Sequence, residues 1–252
     1  MRRLWYLRHL PYPVIVPRLI EYGRATISDC FDIDEAKLLN EARMKHLESL
    51  GIDLNGKTVL DVGAGVGRLA EYLARLGCRV KCIDGREENV AEMRRRNPEF
   101  APEFADVERT DLKSFGIFDI VFCYGLLYHV ENPVLALRNM AQATKGLLLL
   151  ETMVCDSYQP VMYLVDEPAT YNQALRGFGC RPSPSFVSLV LSRLGFFVYA
   201  PKTFPNHADF RFSWRDSLRI TEGGHNIRAV FVASKEELNL PSLVQVDRQR
   251  VI

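Results

Sequence analysis

The stretch Val59-Leu60-Asp61-Val62-Gly63-Ala64-Gly65-Val66-Gly67 holds the densest chemistry of the chain. Three glycines at alternate positions let the backbone turn tightly and approach a ligand with no side chain in between. A carboxylate, Asp61, stands two residues before the first of them. A dinucleotide site uses Gly-x-Gly-x-x-Gly spacing and meets a pyrophosphate at a helix N-terminus. Here the spacing is Gly-x-Gly-x-Gly, and an anion at Asp61 would repel a pyrophosphate. The same anion suits a ligand that carries an ammonium and a sulfonium. A glycine turn that holds no ligand is the plain alternative.

Further candidates lie downstream. Asp84 ends the segment Arg79–Asp84, where an acidic side chain can accept hydrogen bonds from a ribose diol. His129 follows a strand-like segment directly, and an imidazole that titrates near neutrality can take a proton from a hydroxyl. Beside it, Tyr128 can orient an acceptor or set its ring near a sulfonium. His207 and Asp209 lie two apart, so in an extended segment they point the same way and could form a base pair. No third ligand accompanies them, and no metal site is expected. Tyr163, Tyr171 and Arg176 belong to a stretch, 153–183, that mixes aromatic and polar residues. Aromatic walls with a few polar anchors suit a small-molecule acceptor. A packing excursion or a contact between two copies of the chain is the alternative for that stretch.

These residues need elements to position them. Val59–Val62 reads as a buried parallel strand, and Arg68–Leu76 returns to helical spacing with Leu69, Leu73 and Leu76 on one face. Asp34 is placed to cap a helix over Glu35–Leu50. Arg79–Asp84 reads as a second strand, Arg86–Arg96 as a helix, and Phe100–Ala105 as a weak strand interrupted by Pro102. Phe118–Cys123 is rich in β formers and bounded by glycines. Pro133–Ala143 reads as a helix with proline in its first turn, followed by a buried strand at Gly146–Thr152. Alternation of strand and helix implies a parallel sheet flanked by helices. The rhythm breaks at 153–183, as a lid or binding loop would break it. It resumes with a helix ending at Leu194, a strand at Phe196–Ala200, a second irregular segment at 205–215 and a last strand at Arg228–Ala233.

The whole is an α/β, Rossmann-like sheet of seven strands, mostly parallel with a reversed last strand. The expected division is an N-terminal arm and helix over residues 1–50 that cap the site, a domain over 51–236 with a substrate insert at 153–183, and a tail at 237–252. With 252 residues, 48% of them hydrophobic, the chain can fill one large core. A net charge of +1 marks no global field for nucleic acid, although a local patch is compatible with it. Six cysteines without paired metal spacing point to reduced thiols and a cytoplasmic setting. Charges and prolines interrupt every apolar run near the N-terminus, so neither a signal peptide nor a membrane-spanning helix is expected.

The stretch around Gly63 resembles motif I of the class I S-adenosylmethionine (SAM) methyltransferases. Asp84 and the Phe-Asp opening of Phe118-Asp119, which resembles motif IV, strengthen the likeness, which covers roughly residues 47–234. The resemblance implies that Asp61, Gly63, Ala64, Gly65 and Gly67 cradle the methionine end of SAM, with Tyr124 close by. It places Asp84 and Gly85 on the ribose and Asp106-Val107 on the adenine. Asp106 as a turn cap, and Asp111 in its stead, are the alternatives. Proteins of this family commonly carry a histidine at the place of His129, often a structural one. Tyr128 with Arg228 is also similar to a pair in the tRNA wobble-uridine carboxymethyltransferases, where it helps hold the carboxylate of carboxy-SAM. The implied function is methyl transfer from SAM, giving S-adenosyl-L-homocysteine, to a small or glycan-like acceptor at oxygen or nitrogen. An RNA methyl- or carboxymethyltransferase and a non-catalytic methyltransferase-like subunit are the alternatives.

Overall fold

The run Thr58–Val62 forms strand β1, which lies inside an eight-stranded sheet. Its composition follows from that position: Val59, Leu60 and Val62 are almost wholly buried, since helices cover both faces of a parallel sheet. The computed structural model describes residues 30–167, 174–215 and 218–246. The N-terminal arm before Cys30, Tyr171 and the 248–252 end lie outside the described residues.

Helix α1 (Asp34–Ser49) precedes β1; after it come α2 (Arg68–Arg75), β2 (Arg79–Asp84), α3 (Glu87–Arg96) and β3 (Glu103–Phe104). Then follow β4 (Phe118–Tyr124), α4 (Pro133–Ala143) and β5 (Thr144–Met153). A hairpin of β6 (Met162–Asp166) and β7 (Phe178–Pro182) leads to α5 (Pro184–Arg193) and β8 (Phe197–Pro201). A second, short hairpin of β9 (Thr221–Glu222) and β10 (His225–Asn226) precedes β11 (Arg228–Ser234) and β12 (Leu243–Gln245).

The sheet order is β12-β8-β11-β5-β4-β1-β2-β3. Strands β3, β2, β1, β4 and β5 are parallel neighbours, and β11 runs antiparallel between β5 and β8. The expected α/β architecture with its reversed strand is therefore present. Where seven strands are expected the sheet has eight, because β12 adds antiparallel to the outer edge of β8. Three residues carry too little alternation to stand out in a sequence. Likewise, the break at 153–183 contains the antiparallel β6–β7 pair. Asp34 is the first residue of α1 and not its cap; Ile33 holds that place, without a side-chain hydrogen bond. An acidic first turn still favours the helix through its dipole.

Successive side chains of the strands point to opposite faces and feed two cores. Leu60, Val62, Val121, Leu148 and Phe231 pack with Leu137, Met140, Val187, Leu191 and Phe196 on one side. Val59, Phe122, Leu149 and Val232 pack with Met44, Leu47, Leu50 and Leu73 on the other. The chain leaves β1 toward β2 and β3 and returns to β4 on the other side of β1. That reversal opens a crevice at the carboxyl ends of β1 and β4, where open α/β sheets bind ligands.

Cys78, Cys82, Cys123, Cys155 and Cys180 are buried. Burial pushes the Cys155 thiol up to about 11 and the Cys180 thiol up to about 12, so both stay protonated. Among the described residues, no helix is long and apolar enough to cross a membrane.

The two-sided core fixes an expected contrast. Phe196 is fully buried, and Phe196→Ala is expected to cost about 3–5 kcal/mol in urea unfolding. Val244 sits half-exposed on the edge strand, and Val244→Ala is expected to change stability by less than about 0.5 kcal/mol.

Candidate functional site

The turn after β1 is tied to the next strand by its backbone: Gly63 N and Ala64 N both donate to Ile83 O, at 2.9 and 3.1 Å. Gly63 and Gly65 adopt φ of 77° and 57°, which side-chain-bearing residues rarely take. Space also demands glycine. A Cβ on Gly63 would stand 2.8 Å from the Leu126 side chain, and one on Gly65 would stand 2.7 Å from the Phe31 ring. Gly67 then caps α2 in the left-handed conformation.

Asp84 holds this turn in place. Its Oδ2 accepts from Gly65 N at 2.9 Å, and its Oδ1 accepts from Arg86 N at 2.9 Å and Asn89 Nδ2 at 3.1 Å. Burial raises the Asp84 carboxyl above the usual carboxylate range, against the pull of these hydrogen bonds.

Asp61 is different. It is only 2% exposed, and its Oδ2 has no hydrogen-bond partner among the described residues. Burial first, and the charge of Asp84 second, push its carboxyl up to about 8. At neutral pH the group is therefore mostly protonated, and a cation placed against it would draw the proton off. Tyr124 is buried in the neighbouring strand, stacked on Phe122 at 4.2 Å, and its hydroxyl also lacks a partner among the described residues. Two unsatisfied polar atoms at adjacent strand ends mark a place built for something else to complete.

On the far side of the turn, Gly63, Gly85, Asp106, Val107, Glu108 and His129 line a cavity of about 60 Å³. Small-ligand pockets run to about 300–1,000 Å³, and the reason for the difference is local. The Leu175 side chain lies 2.7 Å from where a Cβ of Gly85 would stand. Arg176 donates to Asp106 Oδ2 and, at 3.0 Å, to Glu108 Oε2. Arg176, expected to meet an acceptor, thus spans the two acids that face the cavity. Asp106 Oδ1 also accepts from Glu108 N at 3.0 Å, the turn-cap role weighed as its alternative. Asp111, its rival, caps a separate turn at Leu112–Phe115 and accepts from Lys113 N.

His129 lines the same cavity with 15% of its side chain exposed. Its Nδ1 donates to Glu167 Oε2 at 2.6 Å, and Arg181 Nη2 holds the other Glu167 oxygen at 3.1 Å. This contact assigns the proton to Nδ1 and leaves Nε2 with its lone pair. Burial lowers the imidazole below its ordinary value, although Glu167 pulls the other way. His129 is therefore neutral at pH 7. Tyr128 is 7% exposed between two guanidinium groups, Arg228 at 5.0 Å and Arg181 at 5.4 Å from its ring centre.

Arg228 is 2% exposed and belongs to a buried ionic chain. It reaches Glu151 at 3.0 Å and Asp209 at 2.9 Å, while Glu151 takes Arg43 at 2.5 Å on its other oxygen. Its contact with the Tyr128 hydroxyl is long, 3.5 Å. His207 Nδ1 lies 3.9 Å from Asp209 Oδ1 and accepts from Asp209 N at 3.3 Å, so the two are neighbours, although not through the extended backbone expected for them. A short turn at Ala208–Phe210 sends Asp209 inward to Arg228 and leaves His207 in a groove beside α1. Tyr163 stands opposite Arg181 in the β6–β7 hairpin, half-buried and off the cavity.

Sequence reasoning assigned no role to Arg43, Glu151 or Glu167. Arg43 and Glu151 stand 108 residues apart and Glu167 meets His129 from 38 residues away, so no local spacing announces these contacts. Among the described residues, no group of three histidine, cysteine or acidic side chains is arranged to hold a metal.

Residues 60–147 match a family described as a methyltransferase domain. Among solved structures, the N-terminal domain of EvdMO1, crystallised in the presence of SAH and D-fucose, has a TM-score of 0.59 with this chain. That likeness covers 80% of this chain and 84% of the other at 23% identity, and it concerns the fold alone. Residues 60–147 thus resemble a methyltransferase domain, and the fold of the chain agrees with that likeness. In sequence it is similar to the ubiquinone biosynthesis O-methyltransferase of Xanthomonas oryzae pv. oryzae (strain PXO99A), 37% identical over 121 residues. The match covers 46% of this chain and 50% of that one. The protein of the same name from Coxiella burnetii (strain Dugway 5J108-111) is 36% identical over 124 residues, 46% of this chain and 51% of that one. The chain thus spans about half the length of the curated relatives it matches.

Asp61 gives this site a stability signature. Its folded-state value lies above its ordinary 3.8, so folding takes up a proton between about pH 4 and pH 8, and stability falls as pH rises through that window. Asp61→Asn removes this contribution. Urea unfolding is expected to show the variant gaining on the parent as pH is raised from about 5 to about 8. A difference independent of pH would contradict the burial account.

Proposed function

We propose that this chain transfers a methyl group from SAM to a hydroxyl oxygen of a small molecule. The observation that carries the proposal is the buried Asp61 Oδ2, which has no hydrogen-bond partner among the described residues, beside a turn that requires glycine at 63 and 65. A dinucleotide would bring a pyrophosphate to that carboxyl; SAM brings an ammonium. The O-methyltransferase names of the relatives support oxygen as the acceptor atom.

In this reading Asp61 and Gly63–Gly67 hold the amino-acid end, with Ala64 and Tyr124 at its borders. Asp84, already committed to Gly65, offers its remaining acceptor capacity to the ribose. Asp106 and Val107 face the adenine, with Gly85 allowing close approach, and Leu175 and Arg176 give way to it. Residues 51–236 form the catalytic unit, with the 153–183 insert and α1 as its covers. Bound SAM supplies an already activated methyl group, so this chain needs to contribute approach geometry, exclusion of water and removal of the acceptor's proton. His129 Nε2 takes that proton, while Glu167 fixes the tautomer and favours the imidazolium that forms. Tyr128 orients the acceptor. Arg228 already faces Glu151 and Asp209, which favours SAM over carboxy-SAM and leaves Arg228 a positioning role.

Calorimetric titration with SAM, carboxy-SAM and NAD tests the cofactor. SAM is expected to bind, and Arg176→Ala is expected to tighten it several-fold, on the order of 1 kcal/mol, because Asp106 is then unopposed. Binding of NAD alone, or of none of the three, would overturn the proposal.

The base is tested by transfer of labelled methyl from SAM to a panel of phenols and alcohols. His129→Gln is expected to lower kcat by about 10²–10⁴ and to leave the SAM Kd unchanged. Because burial lowers the His129 value, the parent rate is expected to rise with pH only below about 6.5 and stay level above it. An unchanged kcat in the variant would remove His129 from the role.

A further inference from the structure

A groove of about 790 Å³ opens between α1 and the 203–211 segment and shares no lining residue with the cavity at Gly63. It lies beyond the carboxyl end of β8, on the side of an open α/β sheet where ligands bind. Its chemistry is lopsided. Lys45, Arg211 and the imidazoles of His46, His207 and His225 line it, against a single carboxylate, Glu41, which Lys45 already holds at 2.6 Å.

Two further observations describe what would fit. His46 is 5% exposed, and its Nε2 donates to Thr203 O at 2.9 Å. Its Nδ1 is therefore an acceptor, and it has no hydrogen-bond partner among the described residues. An acceptor left without a donor costs free energy, and a ligand hydroxyl at the groove wall would supply one. Leu38 and Phe204 line the same groove at 61% and 58% exposure, an unusual display of large apolar side chains beside cations. Cations, a lone acceptor and apolar walls together match an amphipathic organic anion that carries a hydroxyl.

Asp209, Arg228 and Tyr128, all buried, link His207 on the groove wall to His129, so the groove is a site apart from the cavity at Gly63. We propose that this groove binds a hydroxylated small molecule with an apolar body and a carboxylate or phosphate head.

Salicylate, its uncharged analogue 2-hydroxybenzyl alcohol and inorganic phosphate are the probes, read by the ring signals of the histidines in carbon–proton NMR of the full chain. Salicylate is expected to shift the His207 and His225 signals saturably, with phosphate competing and the alcohol weaker by about tenfold or more. Arg211→Gln combined with Lys45→Gln is expected to weaken salicylate by about tenfold while SAM binds as in the parent. No saturable shift, equal binding of the alcohol, or an unaffected double variant would overturn the proposal. So would binding to phosphatidylglycerol vesicles without binding of either free anion. Salicylate binding in a chain that fails to bind SAM would defeat the methyl-transfer reading and leave this proposal standing.

Discussion

A carboxyl group held out of water is the constraint on which this structure turns. Asp61 stands one residue before the end of β1, between the buried Leu60 and Val62, and is itself only 2% exposed. A second carboxyl, Asp84, stands at the end of the neighbouring strand and discourages ionisation of the first. The chain answers the two carboxyls differently. Both Asp84 oxygens accept from the glycine turn and the start of α3, whereas Asp61 Oδ2 has no partner among the described residues. An isolated buried carboxyl is costly, and it is tolerated where a cation will meet it.

The rest of the site is braced by charges that cancel one another. Arg43 on α1, Glu151 on β5, Arg228 on β11 and Asp209 in the 208–210 turn form one buried chain, two cations alternating with two anions. Removing one member would strand its neighbours, which is the expensive way to break such a pair. The chain joins four separate elements at the carboxyl end of the sheet and fixes where α1 sits over it. Glu167 and Arg181 do the same from the β6–β7 hairpin, and through Glu167 they set the tautomer of His129. The orientation of His129 is thus held by buried charged side chains as well as by the loop that carries it.

Much of this was legible in the sequence. Periodicity marked β1, β2, β4, β5 and the helices between them, and Pro133–Ala143 is a helix over the residues expected. Gly63 and Asp84 stand out because the turn needs glycine and strand ends of an α/β sheet face the ligand crevice, whereas Asp106 is singled out by the family resemblance alone. What escaped was long-range. The state of Asp61 depends on how deeply β1 is buried, and spacing alone presents the residue as a free anion. Arg176 reads as an exposed anchor until the chain folds it across Asp106 and Glu108. His207 and Asp209 stay within 3.9 Å of each other, but through a three-residue turn in place of the extended backbone assumed for them, and Asp209 turns its other oxygen to Arg228. The edge strand β12 and the β6–β7 hairpin are too short or too irregular in pattern to announce themselves.

The central claim is that Asp61 waits in the neutral form for a cation. Carbon-13 NMR of the aspartate carboxyls, with Asp61→Asn to assign the signal, tests it directly. In the ligand-free chain the Asp61 carboxyl is expected to titrate near 8, and saturating SAM is expected to move that midpoint down toward the ordinary carboxylate range. A midpoint near 3.8 without ligand, or one that SAM leaves in place, would contradict the account.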